Sequence, residues 1–161
     1  QNKPELYDSI QLKTNQFTGG ILLEYYIPIA QRSTIKVANR SALIYSERLY
    51  GNELMRIGGL RTLRGFDEES ISASTYSIFT LEYRFLLDQN SFFSVFTDYG
   101  LYENNTTGIT YLNDTPIGVG AGFSFETKAG IFTFNYAAGS QFGNPIDLRA
   151  AKIHFGFINF F

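Results

Sequence analysis

Apolar and polar side chains alternate along several stretches of this chain, and this period of two limits the possible folds more than any other feature. From Phe79 to Phe85, Phe, Leu, Tyr and Phe occupy one parity, and Thr, Glu and Arg the other. Successive side chains of a β-strand point to opposite faces, so the pattern is typical of a strand with one apolar and one polar face. The sequence therefore predicts an all-β protein.

The alternation recurs often enough to predict eight strands. In the stretch from Ile117 to Glu126, Gly118, Gly120 and Gly122 fall on the polar parity, which suits a face that meets a crowded interior. We predict strands at about residues 6–14 (the weakest), 21–27, 33–45, 79–85, 92–99, 117–126, 131–136 and 153–161.

Composition narrows the classes of function. The 161-residue chain has no Cys, a single His, and 13 basic against 15 acidic residues. Without Cys there is no disulfide, Cys-ligated zinc or thiol catalysis, and one His cannot form a multi-His metal site within one copy of the chain. A net charge of -2 argues against nucleic acid as a partner. We therefore expect a structural or interaction protein that is not an enzyme and holds no metal or cofactor.

The lengths of the connections help to separate a membrane barrel from a soluble one. Short links at about residues 30–32, 88–90 and 127–129 alternate with long ones at about 47–74, 102–114 and 140–148. Outer-membrane barrels have short periplasmic turns and long extracellular loops. The pattern favours an antiparallel transmembrane β-barrel with a long loop between its third and fourth strands and a periplasmic C-terminus. A soluble lipocalin-like barrel or a β-sandwich is the alternative.

Residues 53–66, which read ELMRIGGLRTLRGF, contain the most specific motif. They resemble the sixth extracellular loop of the Omp85 superfamily of outer-membrane assembly factors. In that loop a Gly-Gly pair, here Gly58 and Gly59, precedes an Arg-Gly-Phe/Tyr tripeptide, here Arg64, Gly65 and Phe66.

Features downstream of this loop resemble the family in the same order. Glu82 resembles an inward glutamate on the next strand, and Phe96 and Asp98 resemble an inward aromatic residue and an aspartate on the strand after it. The Gly-rich strand from Gly118 and the strand that follows resemble the last hairpin, and residues 153–161 resemble the terminal strand.

The resemblance implies that the loop folds inward into the lumen and that Arg64 pairs with Glu82 and Asp98. Both carboxylates fall on the polar parity of their strands, where a confined negative charge needs a partner. An arginine offers five donors in a rigid fork, which suits two carboxylates. The alternative is that Arg64 is a solvated loop arginine.

Three further residues complete this predicted loop lock, the name used below for Arg64, Gly65, Phe66, Glu82, Phe96 and Asp98. Gly65 permits a tight backbone course. Phe66 and Phe96 are expected to pack beside the guanidinium.

The chain ends in a pattern that resembles the β-signal by which outer-membrane barrels are recognised for assembly. The pattern is His154-x-Gly156-x-x-Asn159-x-Phe161, in which Asn159 stands where a hydrophobic residue is expected. It implies addition of this strand to the open edge of an assembly machine, and an ordinary closing strand is the alternative.

The resemblance covers only part of a typical member. Omp85 barrels have sixteen strands, usually preceded by soluble POTRA domains, whereas residues 1–161 resemble the last eight strands without a POTRA domain. We predict a single domain that forms the C-terminal half of a larger barrel. The alternatives are a dimer of two copies and a small closed barrel, whose eight-stranded lumen is only just wide enough for its own side chains.

The resemblance also implies a location and partners. We expect a protein of the bacterial outer membrane that contacts lipid and lipopolysaccharide and inserts or translocates client β-barrel or secreted proteins. The alternative is a passive small barrel, an anchor or a pore, that keeps the loop lock without insertase activity.

Overall fold

The computed structural model describes residues 15–106 and 111–159, and in this part of the chain there are ten β-strands. They are β1 (Gln16–Ala30), β2 (Ser33–Ser46), β3 (Met55–Ile57), β4 (Ile71–Ala73), β5 (Thr75–Leu86), β6 (Phe92–Asn104), β7 (Leu112–Asp114), β8 (Ile117–Thr127), β9 (Gly130–Ser140) and β10 (Lys152–Asn159). Seven long strands form one antiparallel sheet in the order β1-β2-β5-β6-β8-β9-β10, with β7 paired to β6. Strands β3 and β4 form a separate hairpin.

The prediction of an all-β, antiparallel protein is confirmed. Seven of the eight predicted strands are present, and most are longer than predicted: β6, for example, continues to Asn104. The predicted first strand, at about residues 6–14, lies outside the described residues. Residues 160–161, at the end of the predicted last strand, also lie outside them.

The sheet has two edges within the described residues. Strand β1 pairs with β2, β10 pairs with β9, and in this part of the chain no pairing joins β1 to β10. The described residues therefore form an open antiparallel sheet and not a closed barrel.

Connections alternate in length along the sheet. The links at residues 31–32, 87–91 and 128–129 are short, and those at 47–74, 105–116 and 141–151 are long. Because each strand reverses direction, the short turns share one end of the sheet and the long connections share the other. No helix in the described ranges is long and apolar enough to cross a membrane.

The two faces of the sheet differ in what covers them. On β5, Phe79, Leu81 and Tyr83 are exposed on one side, the apolar face. Ile78 and Glu82 on the other side, the polar face, are buried. The alternation in the sequence thus separates an uncovered aromatic surface from a covered polar one.

The long loop, residues 47–74, covers part of the polar face. Its side chains form the buried apolar cluster together with one residue of β5 and one of β6. The members are Ile57, Leu63, Phe66, Ile71, Ala73, Ile78 and Tyr102. This cluster lies between the loop and the sheet, and it positions the loop tip, Arg64 to Phe66, over the strands.

Candidate functional site

Two carboxylates lie on the polar face of neighbouring strands. Strands β5 and β6 pair so that Glu82 lies opposite Phe96 and Asp98 lies opposite Thr80. Glu82 is 4% exposed and Asp98 is 0% exposed. Glu82 and Asp98 are therefore diagonal neighbours on one face of an antiparallel pair. Such neighbours lie about 7–8 Å apart, so one long side chain between them can reach both carboxylates.

Arg64 of the long loop binds both carboxylates. Its Nε donates to Asp98 Oδ2 at 2.7 Å and its Nη2 donates to Oδ1 at 2.8 Å, while Nη1 donates to Glu82 Oε2 at 2.6 Å. The backbone N–H of Arg64 also donates to Asp98 Oδ2, at 3.1 Å. Two nitrogens of the guanidinium thus bind the Asp98 carboxylate bidentately, and the third nitrogen binds the Glu82 carboxylate. The structure brings together the three charged residues that the sequence analysis singled out.

Two further residues complete the cluster, and the sequence analysis missed both. Arg84 Nε donates to Glu82 Oε1 at 2.6 Å, and Thr80 Oγ1 donates to Asp98 Oδ1 at 2.7 Å. The charge cluster of Arg64, Glu82, Arg84 and Asp98 therefore contains two cations and two anions. The sequence did contain an indication of both residues, because Thr80, Glu82 and Arg84 occupy every second position of β5 and therefore lie on the same face.

The electrostatics keep Arg64 charged. Burial alone would lower the pKa of its guanidinium, because burial disfavours the charged form. Hydrogen bonds and Coulombic attraction to Asp98 and Glu82 outweigh this effect, so the pKa is raised above its ordinary value. The loop arginine therefore stays paired as a cation.

The two aromatic residues of the loop lock lie in different places. The Phe96 ring lies against the Arg64 guanidinium, whose Cζ is 3.4 Å from the ring centroid. Phe66, which was expected beside the same guanidinium, instead packs in the apolar cluster. The positive φ of Gly65, between Arg64 and Phe66, turns the chain so that the two side chains leave it in different directions.

Glycines let the loop tip rest directly on the backbone of β8 and β9. Gly65 has a φ of 94°, and a Cβ there would lie 2.7 Å from the carbonyl carbon of Ala138. A Cβ at Gly118 would meet the carbonyl oxygen of Arg64, and one at Gly139 would lie 2.7 Å from the carbonyl oxygen of Gly65. A side chain at these positions would separate the loop tip from the sheet.

The two loop glycines form the turn before the tip. Gly58 and Gly59 both have positive φ, at 114° and 93°. The Gly58 amide donates to Thr62 Oγ1 at 2.8 Å, and the Gly59 amide donates to the Leu63 carbonyl at 2.9 Å. A Cβ at Gly59 would fall on the Glu68 carboxylate. The pair therefore closes the short segment that carries Arg64.

The last described strand also contacts the loop. His154 Nε2 accepts a hydrogen bond of 3.1 Å from the Gly65 amide, and Lys152 Nζ lies 2.9 Å from Asp67 Oδ1. The sequence places His154 on the polar parity, but no local pattern gives a partner 89 positions away.

The other residues of the pattern that resembles the β-signal lie in different environments. Gly156 faces the loop, since a Cβ there would meet the Leu60 side chain. Asn159 is exposed and pairs with Gly130 of β9. Phe161 lies outside the described residues.

This arrangement is suited to attachment, because its charged groups bind one another. Within residues 15–106 and 111–159, no group of three or more His, Asp or Glu side chains is placed to hold a metal ion. That the protein is not an enzyme stays a prediction.

Comparison with known proteins identifies the family. A search of curated proteins gives no match. A family model described as the Omp85 superfamily domain matches residues 11–161, a range that contains the long loop, the charge cluster and the last strand. The chain belongs to the Omp85 superfamily.

Proposed function

We propose that this protein acts in the insertion or translocation of client proteins at the bacterial outer membrane. Membership in the family implies that location. The observation that supports the activity most directly is the attachment of the long loop to the polar face by the buried Arg64, Glu82 and Asp98. This is the arrangement that the resemblance to outer-membrane assembly factors implies.

The proposed architecture is a transmembrane β-barrel to which this chain contributes eight strands. The polar face would line the lumen, so that the long loop folds inward. An aromatic band on the apolar face supports this architecture, with neighbouring ring centroids 4.4 to 6.3 Å apart. The band is formed by Phe93, Phe123, Phe125, Phe132, Phe134, Phe155 and Phe157.

The position of this band also supports an orientation. It lies at the end of the sheet that carries the short turns, where β10 ends beside Gly130. Aromatic residues in outer-membrane barrels form girdles at the two interfaces, and the short turns are periplasmic. Because β10 ends on the side of the short turns, we propose that the C-terminus lies in the periplasm.

The proposed activity breaks no covalent bond. One edge of β10 pairs with β9. A client strand would pair with the other edge by β-augmentation, which satisfies its backbone groups before it enters lipid. The loop lock would hold the polar face in one arrangement while the edge exchanges partners.

The proposed partners follow from these surfaces. Outer-membrane lipid and lipopolysaccharide would contact the apolar face. Client β-barrel or secreted proteins would bind at the strand edge. A further half barrel, or a second copy of the chain, would complete the wall.

A second candidate is a passive barrel that serves as an anchor or pore. The observation that favours an anchor is the dense packing of the loop, where Ile57 and Leu63 are both 0% exposed. Such a barrel would keep the loop lock but would not accelerate the folding of other proteins.

The rate at which a client barrel folds into liposomes distinguishes the two candidates. We expect liposomes containing this protein to fold the client faster than protein-free liposomes of the same lipid. Arg64→Ala should remove most of the acceleration, and Arg61→Ala should preserve it. An unchanged rate with the wild-type protein would contradict the insertion proposal and favour the passive barrel.

A further inference from the structure

His154 is the only histidine of the chain, and it lies on the polar face of β10. The residue is 7% exposed, and its Nε2 accepts the hydrogen bond from the Gly65 amide at 3.1 Å. Gly65 lies at the centre of the loop tip, next to Arg64. One buried hydrogen bond therefore links the tip directly to the last described strand.

We propose that neutral His154 is a positioning residue that ties the loop tip to the last strand, and that protonation of its imidazole releases this tie. The tie concerns the loop and β10 whether or not the protein inserts clients.

The chemistry of imidazole gives the direction of the effect. A neutral ring has one nitrogen that accepts and one that donates, and here Nε2 is the acceptor. An imidazolium donates from both nitrogens, so a protonated Nε2 would face the Gly65 N–H donor to donor. The hydrogen bond cannot form in that state, and a buried backbone N–H left without a partner is unfavourable.

Other contacts hold the tip to different strands and do not depend on His154. Arg64 binds Glu82 on β5 and Asp98 on β6. Gly65 lies against the Ala138 backbone of β9. Loss of the histidine bond would therefore loosen the tip from β10 while the charge cluster keeps the loop on the sheet.

Among the described residues, two further contacts between the loop and β10 differ from the histidine bond. The Lys152–Asp67 pair has side chains 38% and 70% exposed, and exposed ion pairs contribute little. The flexible end of the Leu60 side chain lies beside Gly156. Of these three contacts between described residues, the His154 bond is the one that is both buried and directional.

The charged groups that face His154 come from the loop, from β6 and from its own strand. They are Arg64, Asp67 and Glu68 of the loop, Asp98 of β6, and Lys152 of β10. Lys152 lines a cavity of about 210 Å³ together with Asp67, Glu68 and His154. Its neighbour on β9 is Asn135, which is uncharged. Histidine is the side chain whose ordinary pKa lies between about pH 5 and pH 8, so His154 is the group that we expect acidification to protonate.

Hydrogen exchange at the Gly65 amide tests the tie in the full protein in lipid nanodiscs. We expect its exchange, corrected for the intrinsic effect of pH, to become about tenfold faster between pH 8 and pH 5, the scale of one hydrogen bond. The change should follow the titration of the imidazole signal, which needs no assignment because the chain has one histidine.

Variants separate protonation from other causes. His154→Gln places an amide oxygen that can accept at every pH, so Gly65 should stay protected throughout. His154→Leu removes the acceptor and should give fast exchange throughout. Glu68→Gln should keep the pH dependence of the wild type.

Two results would overturn the proposal, and neither depends on a variant that folds poorly. One is exchange at Gly65 in the wild type that does not change while the imidazole titrates. The other is a pH dependence whose midpoint differs from that of the imidazole. Persistence of the pH dependence in His154→Gln would contradict it as well.

Discussion

Asp98 is the residue on which attachment of the loop depends most. It is 0% exposed and accepts hydrogen bonds from the Arg64 backbone, from two guanidinium nitrogens and from Thr80. A carboxylate so enclosed is stable only while these donors are present. Glu82 differs, because it is shared between Arg64 and Arg84.

Removal of the loop arginine should therefore act mainly through Asp98. In Arg64→Ala, Glu82 keeps Arg84 at 2.6 Å, whereas Asp98 loses its cation. Breaking a buried pair costs about 3–5 kcal/mol, so the free energy of unfolding should fall by an amount in that range. Limited proteolysis should show faster cleavage between residues 47 and 74.

Two variants serve as controls for this result. Arg61 is exposed, so Arg61→Ala should leave both cleavage and stability close to those of the wild type. Arg64→Lys should rescue only partly, because an ammonium cannot fork to two carboxylates. Equal proteolysis of Arg64→Ala and Arg61→Ala would contradict the role given to the charge cluster.

Close backbone contact leads to a second prediction at this scale. A Cβ at Gly118 would meet the Arg64 carbonyl oxygen, so Gly118→Ala should displace the loop tip and destabilise the protein by about 1–3 kcal/mol, as overpacking does. Gly51→Ala is the matched control, because nothing lies within 4 Å of a Cβ there. The measurement is urea unfolding in detergent, and equal stability of the two variants would argue against direct contact.

The sequence predicted some residues of the charge cluster and missed others. Arg64 was found through the loop motif, and Glu82 and Asp98 through their parity on two strands. Arg84 shares the parity of Glu82, but parity gives only the face of a side chain and not how far it reaches. The place of Phe66 depended on the backbone turn at Gly65, which a linear pattern does not fix.

At the scale of elements, alternation predicted the centres of the strands better than their ends. Strand β6 continues to Asn104 and β9 continues to Ser140, beyond the predicted limits. The added residues, 100–104 and 137–140, are mostly small or polar, so the alternation of large apolar side chains weakens before the backbone pairing ends. The hairpin of β3 and β4 was missed because strands of three residues are too short to show a period of two.

This hairpin and its apolar cluster give a prediction for the loop as a unit. Ile57 is 0% exposed, and truncating such a residue to alanine costs about 2–5 kcal/mol. Ile57→Ala should therefore increase hydrogen exchange throughout the long loop, with a smaller effect on β8 and β9. Arg56→Ala, at the exposed neighbouring position, should change little. Uniform acceleration in loop and strands would show that the loop has no stability of its own.

At the scale of the whole molecule, the apolar face and the polar face of the sheet require different environments. The apolar face exposes large side chains such as Tyr25, Val95 and Phe155, at 70%, 56% and 64%. Contiguous apolar surface of this kind marks contact with lipid or with another protein. Family membership implies the outer membrane, and the sequence suggested it through the loop motif rather than through composition.

The proposed orientation can be tested by labelling in whole cells, since the chain has no native cysteine. Ile146→Cys lies in a long connection and Lys128→Cys in a short turn, and both positions are exposed. A membrane-impermeant thiol reagent should label the first and not the second, because long loops face outward. Labelling of Lys128→Cys alone would show that the orientation is the opposite of the one proposed.

The central claim is that the pairing of Arg64 with Asp98 fastens the long loop to the sheet. A double-mutant cycle of Arg64→Ala and Asp98→Ala, read by the free energy of unfolding of the full protein in detergent, tests it most directly. We expect the double variant to be less destabilised than the sum of the single variants, with a coupling of about 2 kcal/mol, inside the range found for residues of one ion-pair network. Additive effects, with a coupling below about 0.5 kcal/mol, would show that the two residues act independently and would contradict the claim.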